Sequence, residues 1–385
     1  MLHAFLSLIA LLVASDVALG QSGNTLSFDP HAGSDKAPWI SARAAGMSEA
    51  ISPVANGQEA PYYNPAAIGG LNYKQAQGAV SGLYFPYLGA AADPSSISLN
   101  QKLREGRNLQ DPTVAEELLR AYDGDHPYAR FSLLPSITFY RMFIGYVYDV
   151  RAASTPTGEG SDGLEVDYRS QSGPMLGFSI ASPKRDFYLG ISGGFFKRTE
   201  TQGNYPLATL IEANDRKTAF SANEKSYSGA PLNVGSIYNI NARWRPSFSL
   251  VAKNLMGTTY RSTDENVDAY KDREELTLGF GLSPNLGKWG MLNLVWEGTD
   301  LTRRDRSATE KMRFGSELTF GNGFGSESIF ALRLGYRKAG ASFGAGFNLG
   351  MLGVQFASYA EDIGIEGSSV IERRSMVNIG INIAD

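Results

Sequence analysis

From Met312 to Phe320 the chain alternates strictly. Met312, Phe314, Leu318 and Phe320 fall on one face, and Arg313, Gly315, Glu317 and Thr319 on the other. The same two-residue period sets Phe330, Leu332, Leu334 and Tyr336 against Ala331, Arg333, Gly335 and Arg337, and Leu276, Leu278, Phe280 and Leu282 against Thr277, Gly279, Gly281 and Ser283. Each such stretch is a β-strand with two unlike faces. Carried along the chain, the pattern predicts strands at 72–83, 128–138, 140–150, 162–171, 174–182, 186–197, 231–241, 244–254, 274–283, 289–299, 310–320, 328–337, 341–349, 351–360 and 374–383.

Alternation alone also fits a soluble sandwich or propeller, so the decision rests on the residues opposite the apolar face. A soluble sheet usually turns Lys, Glu and Thr to bulk water. These strands turn Gly, Ser, Asn and a few Arg or Glu that way, with charge concentrated in the connections. That composition suits an enclosed lumen. The strands reach the ~9–11 residues that a tilted strand needs to cross a bilayer, against ~5–6 for a typical soluble strand. In hydrocarbon an open sheet edge leaves backbone groups unpaired at several kcal/mol each, so the sheet must close. The expected fold is all-β: a transmembrane antiparallel barrel. Single-chain bacterial barrels have even strand numbers, so fourteen strands are expected, with the error in the crowded region 128–182.

Loop lengths agree. Counted back from a periplasmic C-terminus, the long connections 361–373, 300–309, 255–273 and 198–230 share one side, and the tight turns 284–288, 321–327 and 242–243 share the other, as in outer-membrane barrels. Segment 95–122 reads as short polar helices on a side the pattern does not assign. Residues 1–20, with an apolar run from Ala4 to Ala14 and small residues at Ala18-Leu19-Gly20, read as a signal peptide too short to span a membrane. The chain ends on Asp385, where outer-membrane barrels usually end on an aromatic residue.

Composition narrows the chemistry. The 385 residues include no cysteine, which excludes disulfides and thiolate sites, and a net charge of −4 argues against a nucleic-acid partner. No nucleophile–His–Asp spacing, phosphate loop, cofactor motif or metal cluster occurs. His31 and His126 are the only histidines beyond the signal, and Asp123-Gly-Asp125-His126 reads as a turn. No enzyme is expected.

Residues 21–71 differ in kind: small residues and Pro-bounded turns without alternation, a compact piece ahead of a barrel at 72–385 that can sit in the lumen as a plug. Within it Arg43, Gly46, Met47 and Ala50, followed by Asn64-Pro65-Ala66, resemble the plug signature of the FadL family of outer-membrane transporters for long-chain fatty acids and aromatic hydrocarbons, whose wider relatives include PorV-like barrels of protein secretion systems. The resemblance continues through Leu250-Val251-Ala252-Lys253-Asn254-Leu255, Leu334-Gly335-Tyr336 and Ser342-Phe343-Gly344-Ala345-Gly346-Phe347. It implies an outer-membrane location, a hydrophobic ligand taken up at the outer loops, a plug that closes the lumen, and a sideways exit through the wall. Such an exit needs a kinked strand, and Pro135, which removes a ladder donor, is the candidate.

Two readings stand. An uptake channel for hydrophobic small molecules requires an apolar pocket near the plug and a gap in the wall. A structural or protein-shuttling barrel requires a polar lumen and a protein partner at the outer loops, where Tyr205, Leu207, Leu210 and Ile211 are apolar. Glu297, Arg313, Glu317, Arg333 and Arg337 all project into the lumen, where Glu317 and Arg333 are placed to pair across neighbouring strands.

Overall fold

The computed structural model describes residues 37–69, 82–93, 96, 126–139, 141–156, 163–206, 213–262, 268–304, 306–321, 329–349, 351–364 and 370–383. The expected signal peptide, segment 97–122, Leu207, Leu210, Ile211 and the turn Asp123–Asp125 lie outside these residues, as does all but the end of the expected strand 72–83.

Eighteen hydrogen-bonded segments form one sheet. Four consecutive strands are each built from two of these segments, so the sheet is a barrel of fourteen antiparallel strands. They are β1 (Gly82–Ala92), β2 (Tyr128–Phe139), β3 (Met142–Pro156), β4 (Gly163–Ala181), β5 (Phe187–Gly194 with Phe196–Pro206), β6 (Glu224–Gly229 with Leu232–Asn239), β7 (Pro246–Lys253 with Thr258–Ser262), β8 (Tyr270–Asp272 with Glu275–Leu282), β9 (Gly290–Gly298), β10 (Met312–Phe320), β11 (Phe330–Arg337), β12 (Gly340–Leu349), β13 (Leu352–Asp362) and β14 (Ile371–Ile383). Every strand pairs with its neighbours in sequence, and β1 closes the ring on β14 from Leu83↔Ile383 to Ala92↔Ser375.

The strand surplus resolves in the crowded region. The stretches 162–171 and 174–182 are one strand, β4, 19 residues long. Gly173 lies between the two expected stretches and has no room for a side chain: a Cβ would fall 1.9 Å from the Phe195 carbonyl oxygen of β5. Pro86 and the run Gly89-Ala90-Ala91-Ala92 blank the alternation in β1, so its position is displaced from the sequence expectation. The upper segments of β5 to β8 rise into what the sequence reads as outer loops. Tyr205 accordingly stands in β5, not in a loop.

The two faces of the wall are unlike. Met142, Ile144, Tyr146 and Tyr148 on β3, Leu176, Phe178 and Ile180 on β4, and Leu332, Leu334 and Tyr336 on β11 are all exposed, while the residues between them are buried, or half-buried at Gly335. So continuous a belt of bare apolar side chains exceeds anything a monomeric soluble surface tolerates. No described helix is long and apolar enough to cross a membrane.

At the end of the barrel that carries the long connections, helix α3 (Ala213–Asn223) covers part of the outward face. Leu164, Val166 and Tyr205 are buried there with Phe220 packed against them, and Asn223 Nδ2 donates to the Tyr205 hydroxyl (3.1 Å). Apolar outward residues above the belt thus receive a protein cover in place of a solvent-exposed one.

Candidate functional site

The inward face holds residues 37–69. Two short helices, α1 (Ala42–Gly46) and α2 (Ala60–Tyr63), and the 3-10 turns Gly57–Glu59 and Pro65–Gly69 form a compact piece that is almost wholly buried against the strands. Ser41 caps α1 by accepting from Ala44 N (3.2 Å). Five- and four-residue helices have little stability of their own, so their shape depends on the wall around them.

Arg43 is the centre of this contact, and all five of its guanidinium donors are used. Nε and Nη2 donate to the two carboxylate oxygens of Glu317 on β10 (2.8 and 2.7 Å), Nη1 donates to Asn56 Oδ1 (3.0 Å) and Glu59 Oε2 (2.8 Å), and Nη2 also donates to the Val54 carbonyl (3.2 Å). Burial works against the Arg43 charge, and the Glu317 and Glu59 carboxylates more than offset it, holding the guanidinium above its usual range. Glu317 in turn accepts from Arg333 Nε (2.8 Å), its cross-strand partner on β11, and from Asn293 Nδ2 (3.0 Å). A carboxylate with four donors, buried between two guanidinium groups, is charge-compensated in full.

The other lumen charges join the same contact. Arg313 Nη1 donates to Glu49 Oε2 (2.7 Å), Arg337 reaches both Glu49 (3.7 Å) and Glu361 (2.9 Å), and Glu297 accepts the Ser52 backbone N–H. All five charged residues singled out in the sequence are therefore joined, directly or through one neighbour, to residues 43–59. They hold the N-terminal segment to the wall, and none faces an open bore.

The remaining motif residues make the close contacts. Met47 is fully buried. At Gly46 a Cβ would stand 3.0 Å from Gly344 Cα, so two backbones meet where both residues lack side chains. Asn64 Nδ2 donates to the Ser52 (3.0 Å) and Ser236 (3.2 Å) carbonyls, and its Oδ1 accepts from Ala66 N (3.1 Å), an Asx turn that Pro65 stiffens by its fixed φ. Pro65 and Ala66 lie so close to β5 that a Cβ at Gly190 would be 2.3 Å from Pro65 backbone atoms. Gly190→Val is expected to leave the barrel folded but to expel the Pro65–Gly69 turn, at about 1–3 kcal/mol. Limited proteolysis of the folded protein reads this as new cleavage within 37–69.

Pro135 interrupts the β2–β3 ladder between Leu133↔Tyr148 and Ser136↔Gly145 without changing the register, and β1 bulges opposite it between Tyr84 and Tyr87. The Leu134 carbonyl does not go unpaired. Gln58 Nε2 donates to it (3.1 Å) and to Ser136 Oγ (3.0 Å) from inside.

A larger irregularity lies across the barrel. β5 is interrupted at Phe195, β6 at Ala230-Pro231, β7 at Asn254–Gly257 and β8 at Arg273-Glu274. Bonds across the breaks put them at one height: Gly194 N to Pro231 O (3.2 Å), Leu255 N to Leu232 O (2.8 Å), and Asn254 Nδ2 to Arg273 O (3.5 Å). Strand β7 carries extra residues here, since Ala252 faces Val234 below the break and Arg261 faces Ser228 above it. Asn254, Met256 and Gly257 take φ of 50°, 64° and 73°, a left-handed run that throws Met256 outward to 80 % exposure. Directly inside lies a cavity of about 20 Å³, room for one water, bounded by Tyr62, Gly194, Pro231, Asn254, Tyr260 and Asp272. Lys253, the last residue below the break, sits 4.6 Å from the Tyr62 ring centroid and pairs with Glu275 (3.2 Å). In the sequence, Lys253-Asn254-Leu255 attracts notice only as part of the family resemblance. The pattern does end a strand at 254, where Asn254 and Gly257 suit left-handed backbone, but it reads the residues beyond as a loop and not as a continuation of β7.

No protein-family model matches the chain, and no curated protein matches it. Among solved structures it is similar to a deletion mutant of the monoaromatic hydrocarbon channel TodX (TM-score 0.47, 8% identity, covering 89% of this chain and 98% of that one). It is also similar to the monoaromatic hydrocarbon channel CymD (TM-score 0.47, 8% identity, 89% and 97%) and to the Ralstonia pickettii toluene transporter TbuX (TM-score 0.43, 11% identity, 88% and 97%).

Proposed function

We propose that this chain is an outer-membrane barrel whose bore is plugged by its own residues 37–69 and which passes hydrophobic small molecules through a gap in its wall. One observation carries the reading: the line of four strand breaks with a cavity behind it, bordered by the plug's Tyr62. The bore itself is an unsuitable route for an apolar ligand, because it is lined by ion pairs that would have to be broken in a low-dielectric setting. The exposed apolar belt supplies the lipid-facing surface, and at the breaks the regular ladder gives way to single bonds between neighbouring strands. The water-sized cavity corresponds to a closed state, in which Lys253 holds Tyr62 in place. The resemblance at Arg43, Gly46, Met47 and Asn64-Pro65-Ala66 supports a fatty-acid-like or aromatic ligand.

The breaks in β5 to β8 favour a gap there over one at Pro135, because Gln58 seals the Pro135 interruption from within. Uptake of labelled oleate and labelled toluene by a deletion strain carrying each variant separates the two. Deleting Leu255 and Met256, which shortens the bulge in β7, is expected to reduce uptake to the level of the empty strain, while Pro135→Val leaves it unchanged. The opposite result moves the gap to Pro135.

A second reading, a structural or protein-shuttling barrel of the PorV kind, draws on the polar, filled lumen. Wild-type uptake equal to that of the empty strain for both compounds selects it.

A further inference from the structure

Arg373 stands on the outward face of β14, in line with the exposed Val377, Ile379 and Ile381, near the end of the barrel that carries the long connections. Its guanidinium lies flat across two neighbouring strands. Nη1 donates to Ser358 Oγ of β13 (3.0 Å), Nη2 donates to the Ala341 carbonyl of β12 (2.9 Å), and Cζ is 5.8 Å from the Phe343 ring centroid. Two neutral acceptors thus fix its orientation and leave the other N–H donors turned outward. No carboxylate pairs with it among the described residues. The inward arginines differ: Arg43, Arg130, Arg151, Arg198, Arg313 and Arg333 each pair with a carboxylate.

An arginine on the lipid face costs ~2–4 kcal/mol at mid-membrane and ~0–1 near the interface. Its place beside the outer end of β14 therefore marks the headgroup level. Around it on the outward face stand the small residues Ser358, its cross-strand partner Ser375 and Ala341, with Phe343 opposite Ser358 on β12. Toward the belt the exposed Phe343, Phe356 and Val377 offer an apolar track for acyl chains.

We infer that Arg373, held by Ser358 and Ala341, binds the phosphomonoester headgroup of an outer-leaflet lipid as the ligand to the phosphate. A planar guanidinium with free parallel donors matches a phosphate bidentately, and a dianionic monoester gains more from it than a monoanionic diester. The inference rests on the outer-membrane reading but not on any transported ligand.

The test uses the purified full chain in phosphatidylcholine nanodiscs, with bis-phosphorylated lipid A, its dephosphorylated form or phosphatidylglycerol added, and lipid retained per barrel measured by native mass spectrometry. Arg373→Gln, at an exposed side chain that leaves the ladder intact, is expected to lower lipid A retention roughly five- to tenfold. Arg373→Lys recovers part of the loss. Wild type is expected to prefer lipid A over the dephosphorylated form and over phosphatidylglycerol by a similar factor. Unchanged retention in Arg373→Gln, or equal retention of the dephosphorylated lipid or of phosphatidylglycerol, overturns the inference while the barrel's insertion stands. A chain that fails to enter nanodiscs at all overturns the membrane reading, and this inference with it.

Discussion

Glu317→Ala is expected to undock the N-terminal segment while the barrel stays folded. The substitution deletes a carboxylate that takes two donors from Arg43, one from Arg333 and one from Asn293, all buried. It leaves two guanidinium groups facing each other without their shared counter-charge. Breaking a buried pair in this way costs about 3–5 kcal/mol; Arg333 loses its carboxylate, and Arg43 keeps only Glu59. The strand ladder does not depend on Glu317, whose backbone pairs with Asn293 and Arg333 in any case. The loss therefore falls on the docking of residues 43–59. Single-channel recording in a planar bilayer reads it as frequent, large openings where wild type is closed, with new protease cleavage in 37–69. Glu317→Gln, which keeps the shape and part of the hydrogen bonding, is expected to lie between. A variant as closed and as protease-resistant as wild type would remove Glu317 from its role as the anchor.

The second large effect is a reversible loss of uptake on locking the segment to the wall. Two serine pairs bridge the two: Ser52 Oγ and Ser249 Oγ at 2.7 Å, and Ser48 Oγ and Ser342 Oγ at 3.0 Å. Cysteines at these positions need only a small approach to reach a disulfide's S–S length of ~2.05 Å, and the chain has no other thiol to compete. Ser52→Cys with Ser249→Cys fixes the segment to β7, the strand that carries Lys253 and the break at Asn254–Gly257. Under oxidising conditions uptake of labelled hydrophobic compound is expected to fall to the empty-strain level, and to return on adding reductant. The Ser48→Cys with Ser342→Cys pair, at the far side of the segment, is expected to act less. Full uptake in the oxidised Ser52/Ser249 variant means that the ligand path does not require the segment to move, and the gating role given to Tyr62 and Lys253 falls.

The site was legible in the sequence to different depths. Arg43, Glu317 and Arg333 each stood out, because a charge on the inward parity of a strand, or in a segment without parity, is visible locally. The Glu317–Arg333 pairing was also within reach, since consecutive strands fix which residues sit opposite each other. That Arg43 would take the other side of Glu317 was not, since 274 residues separate them and nothing between them sets their distance. Tyr205 illustrates the reverse error. Its apolar neighbourhood reads as a binding loop, whereas the strand runs on past the membrane level and α3 covers it. Composition marked that residue as one needing cover, without saying whether the cover would be lipid, a partner or this chain.

By itself the sequence determined the two-faced strands, their length, the side of the long connections and, through the need to pair every backbone group, the closure into an even-numbered barrel. All of these follow from a period of two residues and from the properties of hydrocarbon, which act along a few neighbouring positions. Only the tertiary structure decided that β4 is one strand, that the lumen charges clamp an N-terminal segment, and that β5 to β8 break at a common height. Those outcomes depend on close approaches between residues distant in the chain, such as Gly173 on the Phe195 carbonyl or Gly190 on Pro65. Local patterning leaves such contacts open, because steric fit between distant backbones has no period along the sequence.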